Sequence, residues 1–197
     1  MNRFEQSLVS NMGSFNLDLP AETITRLGEY YSLLTRWNDR LHLVAPCSPE
    51  EFAVRHVLES LLLLKHLPPK ATVADIGSGG GLPIIPCLIA RPDLEATLIE
   101  SSQKKVVFLR EASRQLNATI IARPFEDVPP PAVSFVTCRA LDQFMQKLPA
   151  LIEWGRPRKL LLFGGEMMAE ELSKHDVNFE QLLIPLSEKR YLFVTTD

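Results

Sequence analysis

The chain has 197 residues, of which 46% are hydrophobic, and a formal net charge of −3. That length suits one sizeable α/β domain with an appendage rather than two ordinary domains, and the slight acidity excludes nucleic-acid binding by bulk charge while leaving room for a local basic patch. The opening MNRFEQSLVS lacks the basic-then-apolar layout of a secretory signal, and no apolar run approaches the roughly 18 residues of a membrane helix. Cys47, Cys87 and Cys138 are odd in number and widely spaced. They suggest neither a disulfide framework nor a zinc site, so the expectation is a cytoplasmic protein with no membrane contact and no metal.

Residues 1–70 read as a helical extension and 71–197 as the core of one compact unit. Asp18 stands where it would cap a helix with Pro20 in its first turn. Ile24, Leu27, Tyr31, Leu34 and Leu41 then mark one face at helical spacing. Ser48-Pro-Glu-Glu51 is a capping box with proline at the first helical position, opening a helix that should run to about His66, before Pro68-Pro69. His56 and Glu59 can share a face of that helix, a weak metal signal by itself. From residue 71 the pattern alternates. Strands are expected over 71–76, 96–99, 118–122, 133–137 and 159–163. Helices are expected over 82–91, 102–116 and 141–154, and 179–185 with 190–195 should close the chain as an antiparallel pair. In the helix over 102–116, Gln103, Lys104, Arg110 and Arg114 form the polar face, and Val106, Val107 and Leu109 the apolar one. Alternating strands and helices predict a Rossmann-like α/β sheet, mostly parallel with the last strand antiparallel. A ligand crevice then falls at the carboxyl ends of the strands.

The most informative stretch is DIGSGGGLPIIP, Asp75–Pro86. Gly77, Gly79, Gly80 and Gly81 follow a strand and precede a helix, so the loop favours close approach of an anionic ligand group. A P-loop ends in Gly-Lys-Ser/Thr; here Leu82-Pro83 follows Gly81. A dinucleotide loop needs its third glycine at position 82, which is Leu. The remaining pattern, Gly77, Gly79, Gly81, is similar to the loop of S-adenosylmethionine-dependent methyltransferases. Glu100 ends the strand ATLIE about 20 residues on, the place of a carboxylate that holds ribose hydroxyls. Asp75 either orders the loop or touches ligand.

An ordered set of motifs makes the likeness specific. Trp37-Asn38, His42-Leu43-Val44, His56-Val-Leu-Glu-Ser-Leu61, the glycine loop and Ser101-Ser-Gln-Lys-Lys-Val-Val-Phe-Leu-Arg110 occur in sequence. Arg123 with Phe125-Glu126-Asp127, Cys138-Arg139-Ala140 and Arg190-Tyr-Leu-Phe-Val194 follow. Together they resemble the bacterial GidB/RsmG family, methyltransferases that modify guanine N7 in small-subunit (16S) ribosomal RNA. The resemblance implies S-adenosyl-L-methionine as cofactor and small-subunit ribosomal RNA, or the assembling subunit, as partner. It implies cofactor contacts at Gly77 and Leu82, with Gly79 and Glu100 completing the set read from the loop. It places Phe125 and Glu126 beside the adenine and Arg139 between cofactor and RNA.

The chain departs from the family pattern at four places. Pro83-Ile84-Ile85-Pro86 stands for Pro-Gly-Ile-Pro, Pro124 adds a residue before the acidic pair, Phe163 replaces a lysine, and Cys138 replaces a serine. Guanine N7 has a free lone pair, so no catalytic base is expected, and positioning and electrostatics should carry the reaction. Arg139 would hold guanine O6 or a phosphate, or bridge to the cofactor. Arg123, Lys104 and Lys105, with Arg110 and Arg114, are candidate RNA contacts; Arg36, Arg40, Arg55 and His56 form a second candidate patch. The chain is expected to be a monomer. On residues alone, a methyltransferase of protein or small molecules, a dinucleotide oxidoreductase (disfavoured by Leu82) and a non-catalytic ribosome-binding relative stay open.

Overall fold

The computed structural model describes residues 1–141 and 143–196. Helix α1 (Arg3–Asn11) opens on Asn2, whose side chain accepts from the Glu5 amide while Glu5 accepts from the Asn2 amide, satisfying two free donors of the first turn. Helix α2 (Ala21–Leu41) starts one residue after Pro20, with no side-chain cap. Asp18 is therefore not its cap, because Pro20 already occupies the position before the first turn. Helix α3 spans 49–65 and changes pitch. It widens to π spacing over Phe52–Leu58 and tightens to 3-10 over Leu62–Lys65. Ser48 Oγ accepts from the Glu51 amide at 3.1 Å, but the Glu51 carboxylate turns forward to Arg55, so only half of the expected capping box forms. Phe4, Tyr31 and Phe52 bind the three helices together. Phe4 stacks on Tyr31 at 4.5 Å and Tyr31 meets Phe52 at 4.9 Å.

The strands are β1 (Thr72–Ile76), β2 (Glu95–Ile99), β3 (Ala118–Ile121), β4 (Phe135–Arg139), β5 (Lys159–Gly164), β6 (Phe179–Leu183) and β7 (Tyr191–Thr195), in the order β3-β2-β1-β4-β5-β7-β6. β1 to β5 pair in parallel, and β7 inserts antiparallel between β5 and β6. Strand β4 begins two residues later than its sequence suggests. The preceding prolines withhold amides, and the Val133 amide is spent on the Pro131 carbonyl. Between strands lie α4 (Ile84–Ala90), α5 (Gln103–Ala112), α6 (Phe144–Gly155) and α7 (Glu166–Lys174). Helix α5 stops at Ala112, so Arg114 lies beyond it. Val107 is 51% exposed rather than part of its apolar face, since Val106, Phe108 and Leu109 take the buried arc. Position 142, within the segment expected to start α6, lies outside the described residues.

The sheet is buried on both faces, which is why its strands read as near-continuous apolar runs. Residues alternate between the two sides. Val73, Leu161 and Phe163 join the core with α1 to α5, while Ala74, Ile76, Leu160 and Leu162 join the core with α6 and α7. The register puts Asp75, fully buried, on the side of α2 and α4, near Tyr30 and Cys87. Truncating Phe52, which is 1% exposed at the junction of three helices, removes the ring that joins them. Phe52→Ala should cost about 3–5 kcal/mol, read as a lower urea midpoint at unchanged slope.

Candidate functional site

A cavity of about 400 Å³ opens at the carboxyl ends of β1, β2 and β4. Its floor is the loop after β1. Gly77, Gly79 and Gly81 all have positive φ, at 68°, 51° and 81°, the region that only glycine enters without strain. A Cβ at Gly77 would fall 2.5 Å from Leu141 Cδ1, whereas at Gly79 it would meet only the Gly77 carbonyl at 3.6 Å. The floor is thus packed against the wall residue Leu141 at Gly77 and open at Gly79.

Two hydrogen bonds fix this loop from opposite sides. Glu100, just past β2, is 6% exposed. Its Oε2 accepts from the Gly79 amide and its Oε1 from the Ser102 amide, both at 2.8 Å. Each oxygen keeps a second lone pair, so the carboxylate braces the loop without exhausting its capacity. On the other side the buried Tyr30 hydroxyl donates to the Gly80 carbonyl at 2.5 Å. Tyr30 carries no motif signature. Its role comes from α2 lying across the loop, a contact between residues 50 apart.

Below the loop Asp75 is fully buried, and neither carboxylate oxygen has a hydrogen-bond partner among the described residues. The Ser78 hydroxyl donates to its main-chain carbonyl instead. Burial pushes the Asp75 carboxyl well above the usual carboxylate range, and the nearby Glu100 charge adds to this. Asp75 is not among the walls of the cavity, so it underlies the loop rather than facing a ligand.

The opposite wall is cationic. Arg139 ends β4 and lines the cavity. Its Nη2 donates to the Arg55 carbonyl at 2.5 Å and to Glu59 Oε2 at 3.2 Å, and its guanidinium carbon sits 5.5 Å from the centre of the Phe163 ring. Glu59 also accepts from Arg190 at 2.7 Å, so it belongs to an ion cluster rather than to a metal site with His56. Among the described residues no group of three His, Cys, Asp or Glu could hold a metal ion. His56 lines the cavity instead of joining a surface patch. Burial first, then the charges of Arg139, Arg55 and Arg190, hold its imidazole down at about 3, well below its usual 6.5. It is neutral at physiological pH. Ionising it opposes folding, so its contribution to stability is lost as pH falls from about 6.5 through about 3.

Gly77, Gly79, Leu82, Glu100, Lys105 and Arg139 are thus brought together around one cavity. Phe125 is not among its walls. The ring is 3% exposed and packs edge-on against Trp154 at 6.0 Å, because the short 3-10 turn Phe125–Asp127 points it into the core with α6. Glu126 reaches the cavity only through Lys147, a wall residue whose Nζ lies 3.1 Å from its carboxylate. Lys104 and Arg123 are exposed and do not line the cavity. Lys147 and Tyr30 gave no local signal; Glu59 and Arg190 stand in motifs of the sequence, but their contact with each other, 131 positions apart, did not show there.

The fold matches solved methyltransferases. Magnesium protoporphyrin IX methyltransferase from Synechocystis, solved with bound S-adenosylmethionine, superposes with a TM-score of 0.59 at 16% identity, over 91% of this chain and 99% of that one. A methyltransferase from Aquifex aeolicus gives 0.60 at 13%, over 83% and 96%. At such identities they speak for the fold alone. In sequence, ribosomal RNA small subunit methyltransferase G of Sorangium cellulosum is 36% identical over 180 residues, 86% of this chain and 75% of the relative. That of Gluconobacter oxydans is 41% identical over 138 residues, 69% of each. Residues 23–189 match the model of GidB, described as rRNA small subunit methyltransferase G. The chain belongs to the GidB family.

In this GidB chain the lysine missing at Phe163 leaves an aromatic ring under Arg139, and the cavity's two lysines come from α5 and α6 instead. Tyr30→Phe keeps the ring but leaves the buried Gly80 carbonyl unpaired. It should cost about 1–3 kcal/mol and weaken S-adenosylmethionine binding more than it slows turnover at saturating cofactor. Asp75→Asn tests the buried carboxyl. A raised folded pKa gives stability that is present below the ordinary value of about 4 and lost as pH rises through the folded value. The variant should therefore gain stability over the wild type at pH 8 relative to pH 5 in denaturant titrations.

Proposed function

We propose that this chain transfers the methyl group of S-adenosyl-L-methionine to N7 of a guanine in small-subunit (16S) ribosomal RNA. The observation that carries the reading is the polarity of the cavity: a braced glycine loop and a carboxylate on one side, a fastened guanidinium on the other. Gly77, Gly79 and Leu82 would hold the amino-acid end of the cofactor and Glu100 its ribose hydroxyls. Glu126, paired with Lys147, stands nearest the place proposed for the adenine; the buried Phe125 ring supports that edge from behind. The bound cofactor supplies an activated methyl group on a sulfonium.

The chain's own task is then orientation. Guanine N7 offers its lone pair directly, so no side chain has to remove a proton. The neutral His56 on the cavity wall suits that requirement. Arg139 lies where it can hold the electron-rich edge of guanine or its phosphate. Lys105 and Lys147 flank the cavity and can meet RNA phosphates, with Lys104 and Arg123 on the surface beyond. N7 lies in a groove too narrow for side chains in regular RNA helix, so the target must be open or distorted. Few large apolar side chains are exposed, which supports a monomer. No helix of the described residues is long and apolar enough to cross a membrane, in keeping with a cytoplasmic site of action.

Labelled S-adenosylmethionine offered with small ribosomal subunits, free ribosomal RNA and total protein should place label in RNA, as 7-methylguanine after digestion. Label confined to protein would overturn the substrate; cofactor binding without transfer to any fraction would favour a non-catalytic ribosome binder. Glu100→Ala removes both the loop brace and the proposed ribose acceptor. It should weaken cofactor binding about 30-fold or more while the far-ultraviolet circular dichroism stays that of the wild type. Unchanged affinity would remove Glu100 from the site.

A further inference from the structure

Glu59 sits in α3, 1% exposed, three residues on from His56 in the cavity wall. Both of its oxygens are committed to guanidiniums. Oε2 accepts from Arg139 Nη2 at 3.2 Å, and Oε1 accepts from Arg190 Nη2 at 2.7 Å and Nε at 3.1 Å. Arg139 is fastened further by the Arg55 carbonyl and by Ser60 Oγ, 3.5 Å from its Nη1. Three of its five N–H groups thus have partners among the described residues. Arg190 in turn is fixed by its own backbone, whose carbonyl accepts from the Ile184 amide ahead of β7. One carboxylate therefore gathers α3, the end of β4 and the start of β7.

As a way of joining helix to sheet this is expensive. Buried ion pairs gain little over apolar side chains of equal volume, whereas removing one partner is costly. One carboxylate between two guanidiniums also leaves a positive surplus beside the cavity, while Arg55 has its own partner in Glu51. A surplus cation kept 14% exposed at a ligand wall is explained if it must face an electron-rich group in one orientation.

We propose that Glu59, anchored by Arg190, is a positioning residue that aims the Arg139 guanidinium at the acceptor nucleotide. This rests on the reading of the chain as a ribosomal RNA guanine methyltransferase and names how that site orients its substrate. Glu59 touches neither cofactor nor substrate and acts only through Arg139. Arg190 supplies the second bond that stops the carboxylate from following Arg139 when that side chain is pulled towards RNA.

A double-mutant cycle tests it. Wild type, Glu59→Gln, Arg139→Ala and the pair are compared for kcat/KM on small-subunit ribosomal RNA, for S-adenosylmethionine Kd by calorimetry, and for thermal midpoint. Glu59→Gln should lower kcat/KM on the order of 30-fold or more, as loss of a buried charge-assisted contact does, with cofactor Kd within about two-fold. In the Arg139→Ala background the same change should have almost no further effect on kcat/KM. Should Glu59→Gln fold poorly, Arg190→Met replaces it in the cycle. That variant leaves Glu59 and Arg139 balanced one to one, and its smaller loss should likewise vanish when Arg139 is absent. Additive losses, or a fall in cofactor affinity equal to the fall in turnover, would assign Glu59 to structure alone and overturn the proposal. A wild-type chain that binds the cofactor but methylates no ribosomal RNA overturns the underlying reading, and this one with it.

Discussion

The Glu100 carboxylate holds the site in register. It ties the Gly79 amide, at the apex of the loop after β1, to the Ser102 amide, at the cap of α5. Two crossover units of the parallel sheet are thereby locked at their carboxyl ends by one side chain. Glycines with positive φ are free to move as well as free to bend. A loop built from them is useful to a ligand only if something else removes that freedom before the ligand arrives. Glu100 does so from the β2 side and Tyr30 from the α2 side. The entropy of ordering the loop is then a cost of folding rather than of binding.

The same region concentrates titratable groups that stability alone would not place there. Asp75 is buried and its carboxylate oxygens have no hydrogen-bond partner among the described residues, Glu59 is buried between two guanidiniums, and His56 is held neutral by burial and then by its cationic neighbours. Each is unfavourable in the low dielectric of the interior and tolerable because the apolar cores on both faces of the sheet are extensive. Across the cavity, the Glu100 carboxylate stands on the β2 side and the Arg139 guanidinium on the β4 side. Dipoles and charges already oriented in this way need no rearrangement as a reaction proceeds.

The helices before β1 have two duties. They cover one face of the sheet, joined through Phe4, Tyr31 and Phe52, and they furnish one side of the cavity through His56 of α3 and through Leu43 and Val44 of the loop between α2 and α3. The π-spaced stretch Phe52–Leu58 lets α3 bury Phe52, Ala53, Val57 and Leu58 while His56 reaches the cavity wall. Such widened turns recur where a helix must serve a site and a core together.

Much of this was legible locally. The strand–glycine–helix punctuation of DIGSGGGLPIIP, the acidic end of ATLIE and the alternation of strands and helices depend on residues close in the chain. They determined the sheet, the loop and the position of Glu100. Boundaries slipped where competing local bonds intervened, as at Asp18, at Val133 and past Ala112. Tertiary structure alone decided that Phe125 turns into the core, that Tyr30 clamps Gly80, and that Glu59 shares its carboxylate between Arg139 and Arg190. Those contacts join residues from 29 positions apart, Phe125 to Trp154, to 131 apart, Glu59 to Arg190. No periodicity or spacing encodes them, because a side chain's partner across such a distance is chosen by how helices and strands pack, not by its neighbours in sequence.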